Sequence, residues 1–501
     1  MFQGTIEIHN GRITKTKPDN GYLNIFIEGK LYEFGNSFAY PGFVDSHLHL
    51  LSAGELLFMP DLSLARSAEE CVDIVFQSNF RRGNWIFARG WNQDFWTEKS
   101  FPTKRLLDEK FPDKPACLIR QDGHCIWLNS RAMEICNINS STPDPEGGKI
   151  VKDSNGEPTG ILIDNAIDIA RNYLPEYSEQ HNLKFLEKSI QKLSSLGITA
   201  VHDMDVSPKY LAIYEKYFSN NDTKKINVLI FLSGKEIFEM GTVPQFKNDY
   251  CEVVGLKFYM DGAFGSFGAL LSEPYSDHPY TKGLQLISED NLNEYIYFTA
   301  KNNLGIAIHS IGDKATSIIL QTYRKYLAKS LPKPKFFRIE HCQIVQPSDI
   351  PLFKELDVVA SVQPSHFVSD YAMAKSRLGS RTKFAYPWKS FLDLGTLICA
   401  GSDFPVENPN PLMGIDAFIN RRSFDLEQKF ADETIPLDLA LKSYTSFPRI
   451  SLGEKEIQIS SGNEGTLTIL DTHFLETPKT EIKKAKVVAT IVTGNLIYQA
   501  G

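Results

Sequence analysis

A chain of 501 residues with 42% hydrophobic and 23% charged residues can bury a large core and has room for one large domain or two to three smaller ones. Its formal charge of -8 offers no basic field to a phosphate backbone, so nucleic acid is not an expected partner. The seven cysteines are odd in number and never form a Cys-x-x-Cys pair, the start (MFQGTIEIHNGRITK) has no signal-peptide core, and no run approaches the ~18 apolar residues of a membrane span; together these predict a cytoplasmic protein with reduced, buried thiols and no membrane partner.

Residues 1 to 40 alternate apolar and polar in short bursts (TIEIHNGRI, LNIFIEGKLYEFG) broken by Gly, Asn and Asp, the pattern of hairpins in a small antiparallel sheet. Residues 455 to 501 repeat it in GTLTILD, AKVVATIVTGN and LIYQAG, so the two termini are expected to build one small β-sandwich. Between them, over 41–60 and 180–454, the pattern becomes strand, loop, helix. Eight strand candidates (GFVDSHL, GITAVHD, NVLIFLS, VGLKFYMD, GIAIHSI, FRIEHCQ, VVASVQ and TLICAGSD) alternate with helical periodicity, as where Leu183, Leu186, Ile190 and Leu193 share a face and in DKATSIILQTYRKYLAK. The predicted fold class is therefore α/β, a (β/α)8 barrel whose reactive groups sit at the C-terminal ends of its strands. Roughly 150 residues separate the first strand from the second, far beyond a βα connection, so 61–179 reads as an inserted α+β subdomain that covers the active site.

The first strand ends in PGFVDSHLHL. Side chains two apart on a strand share a face, so His47 and His49 can converge on one ion. Downstream, His309 (GIAIHSIGD), His341 (FFRIEHCQ) and Asp403 (LICAGSDFPV) each stand at or just past the end of an apolar run. Imidazole and carboxylate donors suit one or two divalent cations, zinc first, with a coordination position left open for a water that Asp403 would deprotonate as general base. Lys257, in VGLKFYMDG, lies on a strand that otherwise buries its side chains, where an ammonium beside a cation is costly. Two readings stay open for it: carboxylation to an anionic ligand able to bridge two metals, or pairing with Asp261 or another carboxylate. Arg377 and Arg381, in KSRLGSRTKFAYPW, are candidates for binding a substrate carboxylate.

The series PGFVDSHLHL, LKFYMDG, IHSIGD, IEHCQ and GSDFPV resembles the amidohydrolase superfamily over nearly the whole chain, and the insert motifs RGWNQDFW and RQDGHCIWLNS are similar to the branch that contains N-substituted formamide deformylase. The resemblance implies a distorted barrel with a β-sandwich from both termini, metal ligation by His47, His49, His309, His341 and Asp403, and a carboxylated, bridging Lys257. It also implies that Trp91 and His124 line the substrate pocket, and Asp261 is placed with them. The N-terminal segment is short for such enzymes, which predicts a trimmed β-domain. The leading expectation is a metal-dependent amidohydrolase that hydrolyses non-peptide carbon–nitrogen bonds of amides, formamides or cyclic amides in a small-molecule substrate. The alternatives are ester or lactone hydrolysis, decarboxylation or isomerisation at the same site, or a non-catalytic binding or regulatory module. Oligomeric state stays open, a homodimer being one assembly the chain allows.

Overall fold

In the computed structural model, which describes residues 1–121, 123, 125–145, 147–220, 225–423 and 427–501, eight apolar runs form one parallel sheet. Its strands are β1 (Phe43–Leu48), β2 (Ile198–Val206), β3 (Asn227–Ser233), β4 (Cys251–Tyr259), β5 (Gly305–Ser310), β6 (Phe337–His341), β7 (Val358–Val362) and β8 (Ile398–Ala400). Each pairs with the next in chain order. Every residue of β1, β5, β6 and β7 is buried, as in a barrel whose outer face is covered by helices and whose interior is filled by side chains. The helices Glu179–Ser194 and Asp313–Leu327 have the periodicity read from the sequence, the first burying Phe185, Leu186, Ile190 and Leu193.

The ring is nearly closed. Between β8 and β1 no regular ladder forms; the backbone N–H of Asp403 donates to the His47 carbonyl at 2.6 Å, that of His49 donates to the Phe404 carbonyl at 2.9 Å, and Leu48 and Phe404 form a single parallel bridge. Asp45, 1% exposed, reinforces the seam by accepting from the Ser402 N–H at 3.0 Å and the Ser402 hydroxyl at 2.6 Å. Gly401 is required at this crossing, since a Cβ there would lie 2.4 Å from the His47 nitrogen and 2.8 Å from its Cβ.

The chain divides into two compact units, Met1–Ala53 with Ser189–Gly501, and Gly54–Lys188. The first holds the barrel and two four-stranded sheets from the termini, one of Gly4–His9, Arg12–Pro18, Leu23–Ile27 and Lys30–Glu33, the other of Phe38–Pro41, Leu467–Leu470, Val487–Val492 and Asn495–Gln499. Ile6, Ile8, Leu23 and Ile25 of one sheet share a core with Leu467, Ile469, Ala489 and Ile491 of the other. The sheet of residues 4–33 is not wholly antiparallel, as its alternation predicted: Gly4–His9 pairs in parallel with Leu23–Ile27. Pro18 and Leu23 both stand opposite Gly4, so residues 19–22 cross over the end of that strand and place the next one on its other side. Thr468 Oγ1 donates to the Gly197 carbonyl at 2.6 Å and Thr490 Oγ1 to that of Ser194 at 2.7 Å, tying the second sheet to the entry of β2.

The second unit is built on a six-stranded mixed sheet ordered Gly148–Lys152, Pro158–Asp164, Cys125–Leu128, Ala116–Arg120, Trp85–Trp91 and Arg81–Arg82, with the Trp85–Trp91 and Ala116–Arg120 pair parallel. All seven cysteines are buried. Among the described residues no helix is long and apolar enough to cross a membrane.

Closure at the seam yields a prediction. Gly401→Ala forces a methyl into the His47 backbone and is expected to destabilise the protein by about 1–3 kcal/mol in urea unfolding. The control Gly265→Ala, whose Cβ would meet only the Met373 sulfur at 3.8 Å, is expected to leave the midpoint close to wild type.

Candidate metal centre

The two histidines of the first strand are oriented by what their Nδ1 atoms touch. His47 Nδ1 lies 2.6 Å from Glu340 Oε2, and His49 Nδ1 lies 2.8 Å from the Met204 carbonyl. Both partners only accept, so each Nδ1 carries a proton; burial keeps His47 neutral with a lone pair on Nε2, whereas at His49 Asp403 outweighs burial and raises the pKa. Both Nε2 atoms face one carboxylate oxygen, with His47 Nε2 and His49 Nε2 at 3.5 and 3.2 Å from Asp403 Oδ1. Three electron-rich atoms at this range are stable together only with a proton or a cation among them.

His341, the last residue of β6, completes the group: one ligand atom from each of His47, His341 and Asp403 lies within 4.8 Å of the others. The His309 ring, on β5, is 4.4 Å from that of His341, and the His47 ring is 5.0 Å from it. His341 and Asp403 have φ of 74° and 58°, a left-handed backbone that non-glycine residues adopt at a cost and that clusters at functional sites. His309 Nε2, His341 Nδ1 and Lys257 Nζ are buried without a hydrogen-bond partner. Burial, aided by the Lys257 charge, lowers the His47 pKa to about 4 and that of His309 to about 3; burial, with the neighbouring histidines, holds His341 well below its ordinary value. These rings are thus neutral imidazoles with lone pairs to give. Burial likewise lowers Lys257, against the pull of Glu340, Asp403 and Asp205. Its Nζ lies 5.2 Å from the centre of the Tyr259 ring and is not paired with Asp261. Buried imidazoles and a carboxylate, converging with unpartnered nitrogens, fit a divalent cation.

Behind His47 stands a buried ionic network on β6. Glu340 accepts from the guanidinium of Arg338, which also donates to the Ser46 carbonyl, to Ser361 Oγ at 2.7 Å and to His202 Nδ1 at 2.7 Å. Burial opposes the charge on Glu340, but Arg338 and His47 outweigh it and hold the carboxyl well below its usual range. Sequence reasoning missed both residues, although Arg and Glu within the otherwise apolar run FFRIEHC were the signal. It also missed His366, just past β7, whose Nε2 lies 3.9 Å from Asp403 Oδ2; PSH following VVASVQ repeats the strand-end pattern that marked the candidate ligands.

Four expected substrate contacts are placed otherwise. Trp91 is fully buried in the core of the Gly54–Lys188 unit, among Trp96, Trp127 and Leu118, and its indole N–H donates to the Leu118 carbonyl at 2.8 Å, so it is a core aromatic. Asp261 is also fully buried; it accepts from the N–H groups of Leu270, Ile311 and Gly312 at 2.8–3.0 Å and fixes the loops after β4 and β5, with Oδ1 3.5 Å from His309 Nε2. Burial pushes its carboxyl up to about 7 against those three donors. Arg377 lies over Phe267, 3.7 Å from the ring centre, donates to the Gly265 carbonyl at 2.6 Å and stands 3.9 Å from Asp277, while Arg381 donates to the carbonyls of Glu273 and Pro274. Both arginines secure the segment after β4. His124 lies outside the described residues.

The sequence pattern of the amidohydrolase family matches residues 35–498. A putative amidohydrolase of Bacillus subtilis (strain 168), YtcJ, is 30% identical over 474 residues, 92% of this chain and 89% of that protein. The N-substituted formamide deformylase of Arthrobacter pascens is 24% identical over 480 residues, 92% of this chain and 88% of that one. An uncharacterized metal-dependent hydrolase from Pyrococcus furiosus, known from its crystal structure, superposes with a TM-score of 0.76 at 29% identity, covering 94% of this chain and 95% of that chain. With its eight-stranded barrel and the histidine and aspartate cluster at the strand ends, the chain belongs to the amidohydrolase family.

Proposed function

We propose that the protein is a metal-dependent hydrolase of carbon–nitrogen bonds other than peptide bonds, acting on amides, formamides or cyclic amides of a small-molecule substrate, with Asp403 as general base. The observation that carries this reading is the convergence of the Nε2 atoms of His47 and His49 on Asp403 Oδ1, with His341 in the same cluster. Zinc is the cation proposed, because neutral imidazole and carboxylate are its usual ligands. Bound there, such an ion lowers the pKa of a coordinated water toward neutrality and polarises the scissile carbonyl.

The residues divide the work. His47, His49 and His341 hold the cation together with Asp403 Oδ1, and Glu340 keeps the His47 lone pair aimed at it. Asp403 Oδ2 faces His366; it takes the proton of the attacking water and returns it to the departing nitrogen. Burial alone would push the Asp403 carboxyl up, but the hydrogen bond and charge of His49 oppose it and hold the carboxyl below its ordinary range, ionised as a base must be. Lys257, buried with an unpartnered Nζ between carboxylates and histidines, is proposed to be carboxylated. The product, a neutral amine converted to an anion, would balance a second cation.

Three outcomes test this. Asp403→Asn is expected to lower kcat by roughly 10²–10⁴-fold on an N-formyl or N-acyl amine that the wild type hydrolyses, and an undiminished rate would remove Asp403 from its role. Glu340→Gln is expected to weaken cation affinity roughly 10–100-fold, read by competition with a chelator, because the imidazole loses the carboxylate that orients it. Protein prepared with ¹³C-bicarbonate is expected to show a carbamate carbon resonance that disappears in Lys257→Ala; identical spectra would leave Lys257 unmodified.

A further inference from the structure

His366 lies in the first turn of the helix Pro364–Leu378, directly after β7. The residue is 9% exposed, and its Nε2 is buried with no hydrogen-bond partner among the described residues. A histidine serving only the core would have that nitrogen satisfied, since an orphaned buried donor costs about 1–3 kcal/mol. The backbone around it is firmly held: its N–H donates to the Gln363 carbonyl at 3.1 Å, and its carbonyl accepts from Ser369 Oγ at 3.3 Å and from the Tyr386 hydroxyl at 3.4 Å.

The direction of the ring carries the argument. Nε2 approaches Asp403 from the side of Oδ2, at 3.9 Å, whereas His47 and His49 meet Oδ1. The ring is parallel to that of His341 within 7°, with centres 6.1 Å apart, so the two are adjacent without stacking contact. His366 is absent from the tight group of His47, His341 and Asp403. Its nitrogen therefore borders the cluster on the Oδ2 side of Asp403 without belonging to it.

We infer that His366 is a catalytic residue of this site, donating from Nε2 to the oxygen of the scissile carbonyl. The inference rests on the hydrolase reading above and adds a donor to it. The departing nitrogen needs a proton, which Asp403 Oδ2 supplies; a fixed N–H instead complements the charge that grows on the carbonyl oxygen as the carbon becomes tetrahedral. Ser369 Oγ, within hydrogen-bond distance of both the His366 carbonyl and Glu407, holds the backbone from which the ring projects.

The test compares wild type, His366→Ala and His366→Gln, the last keeping an amide N–H near the position of Nε2. Zinc per chain is measured by elemental analysis, binding of methylphosphonate, a tetrahedral anion, by calorimetry on the zinc-loaded protein, and kcat and KM on a cleavable amide. Expected for His366→Ala are unchanged zinc, a kcat lower by roughly 10²–10³-fold with KM within a few-fold, and methylphosphonate bound at least tenfold more weakly, with partial recovery of both in His366→Gln. Loss of zinc from either variant would make His366 a ligand and overturn the inference. Unchanged kcat and unchanged methylphosphonate binding would make it a bystander and overturn it as well. A wild type that holds zinc but cleaves no carbon–nitrogen bond would sink the amide reading alone, because methylphosphonate binding still reports on His366.

Discussion

The seam between β8 and β1 is the constraint on which the site depends. Among the described residues only there does the barrel lack a regular ladder, and the bonds that replace it involve the candidate ligand residues themselves: the Asp403 N–H meets the His47 carbonyl, and the His49 N–H meets that of Phe404. Closing the barrel and assembling the cluster are one event. Gly401 lets the strands approach closely enough, Asp45 bridges them through Ser402, and the left-handed backbone at Asp403 turns its carboxylate toward the histidines. The cost of that backbone is carried by the surrounding hydrogen bonds, as expected where function fixes geometry.

The interior of this barrel is more polar than a stack of branched aliphatic layers. Arg338, Glu340 and His202 are all buried, and each has a defined partner, so the desolvation of the charges is offset by short hydrogen bonds in a region of low dielectric. Satisfaction is uneven along the barrel. In the network behind His47 the charged groups of Arg338 and Glu340 are paired, whereas the unpartnered nitrogens of Lys257, His309, His341 and His366 gather around the strand ends beside Asp403. A fold tolerates such a concentration of unmet polar groups where something else is meant to meet them.

Much of this was legible in the chain. The eight strands, the helices between them and the long interruption after the first strand follow from periodicity, and the candidate ligands His47, His49, His309, His341 and Asp403 stand at or just past strand ends, with His47, His341 and Asp403 in one cluster. Less was legible where tertiary pairing decides. That Glu340 is a support for His47 depends on two strands that are not neighbours in the sheet and whose side chains meet inside the closed ring, and no local pattern announces the contact. Trp91 and Asp261 sit in motifs that look chemical, yet one fills a core and the other clamps loop N–H groups; burial, which a motif does not display, separates those roles. Arg377 was read by its charge, while its place over Phe267 is set by the fold of the segment after β4. The crossing of residues 19–22 likewise turned an expected hairpin array into a mixed sheet.

The claim at the centre of this account is that imidazoles and one carboxylate, drawn from strands far apart in the chain, share a single cation. X-ray absorption at the zinc edge of the zinc-loaded protein reads those ligands directly. The account requires nitrogen and oxygen scatterers at about 2.0–2.2 Å with the outer-shell signature of several imidazoles. A sulfur shell near about 2.3 Å, or a spectrum without imidazole scattering, would contradict it.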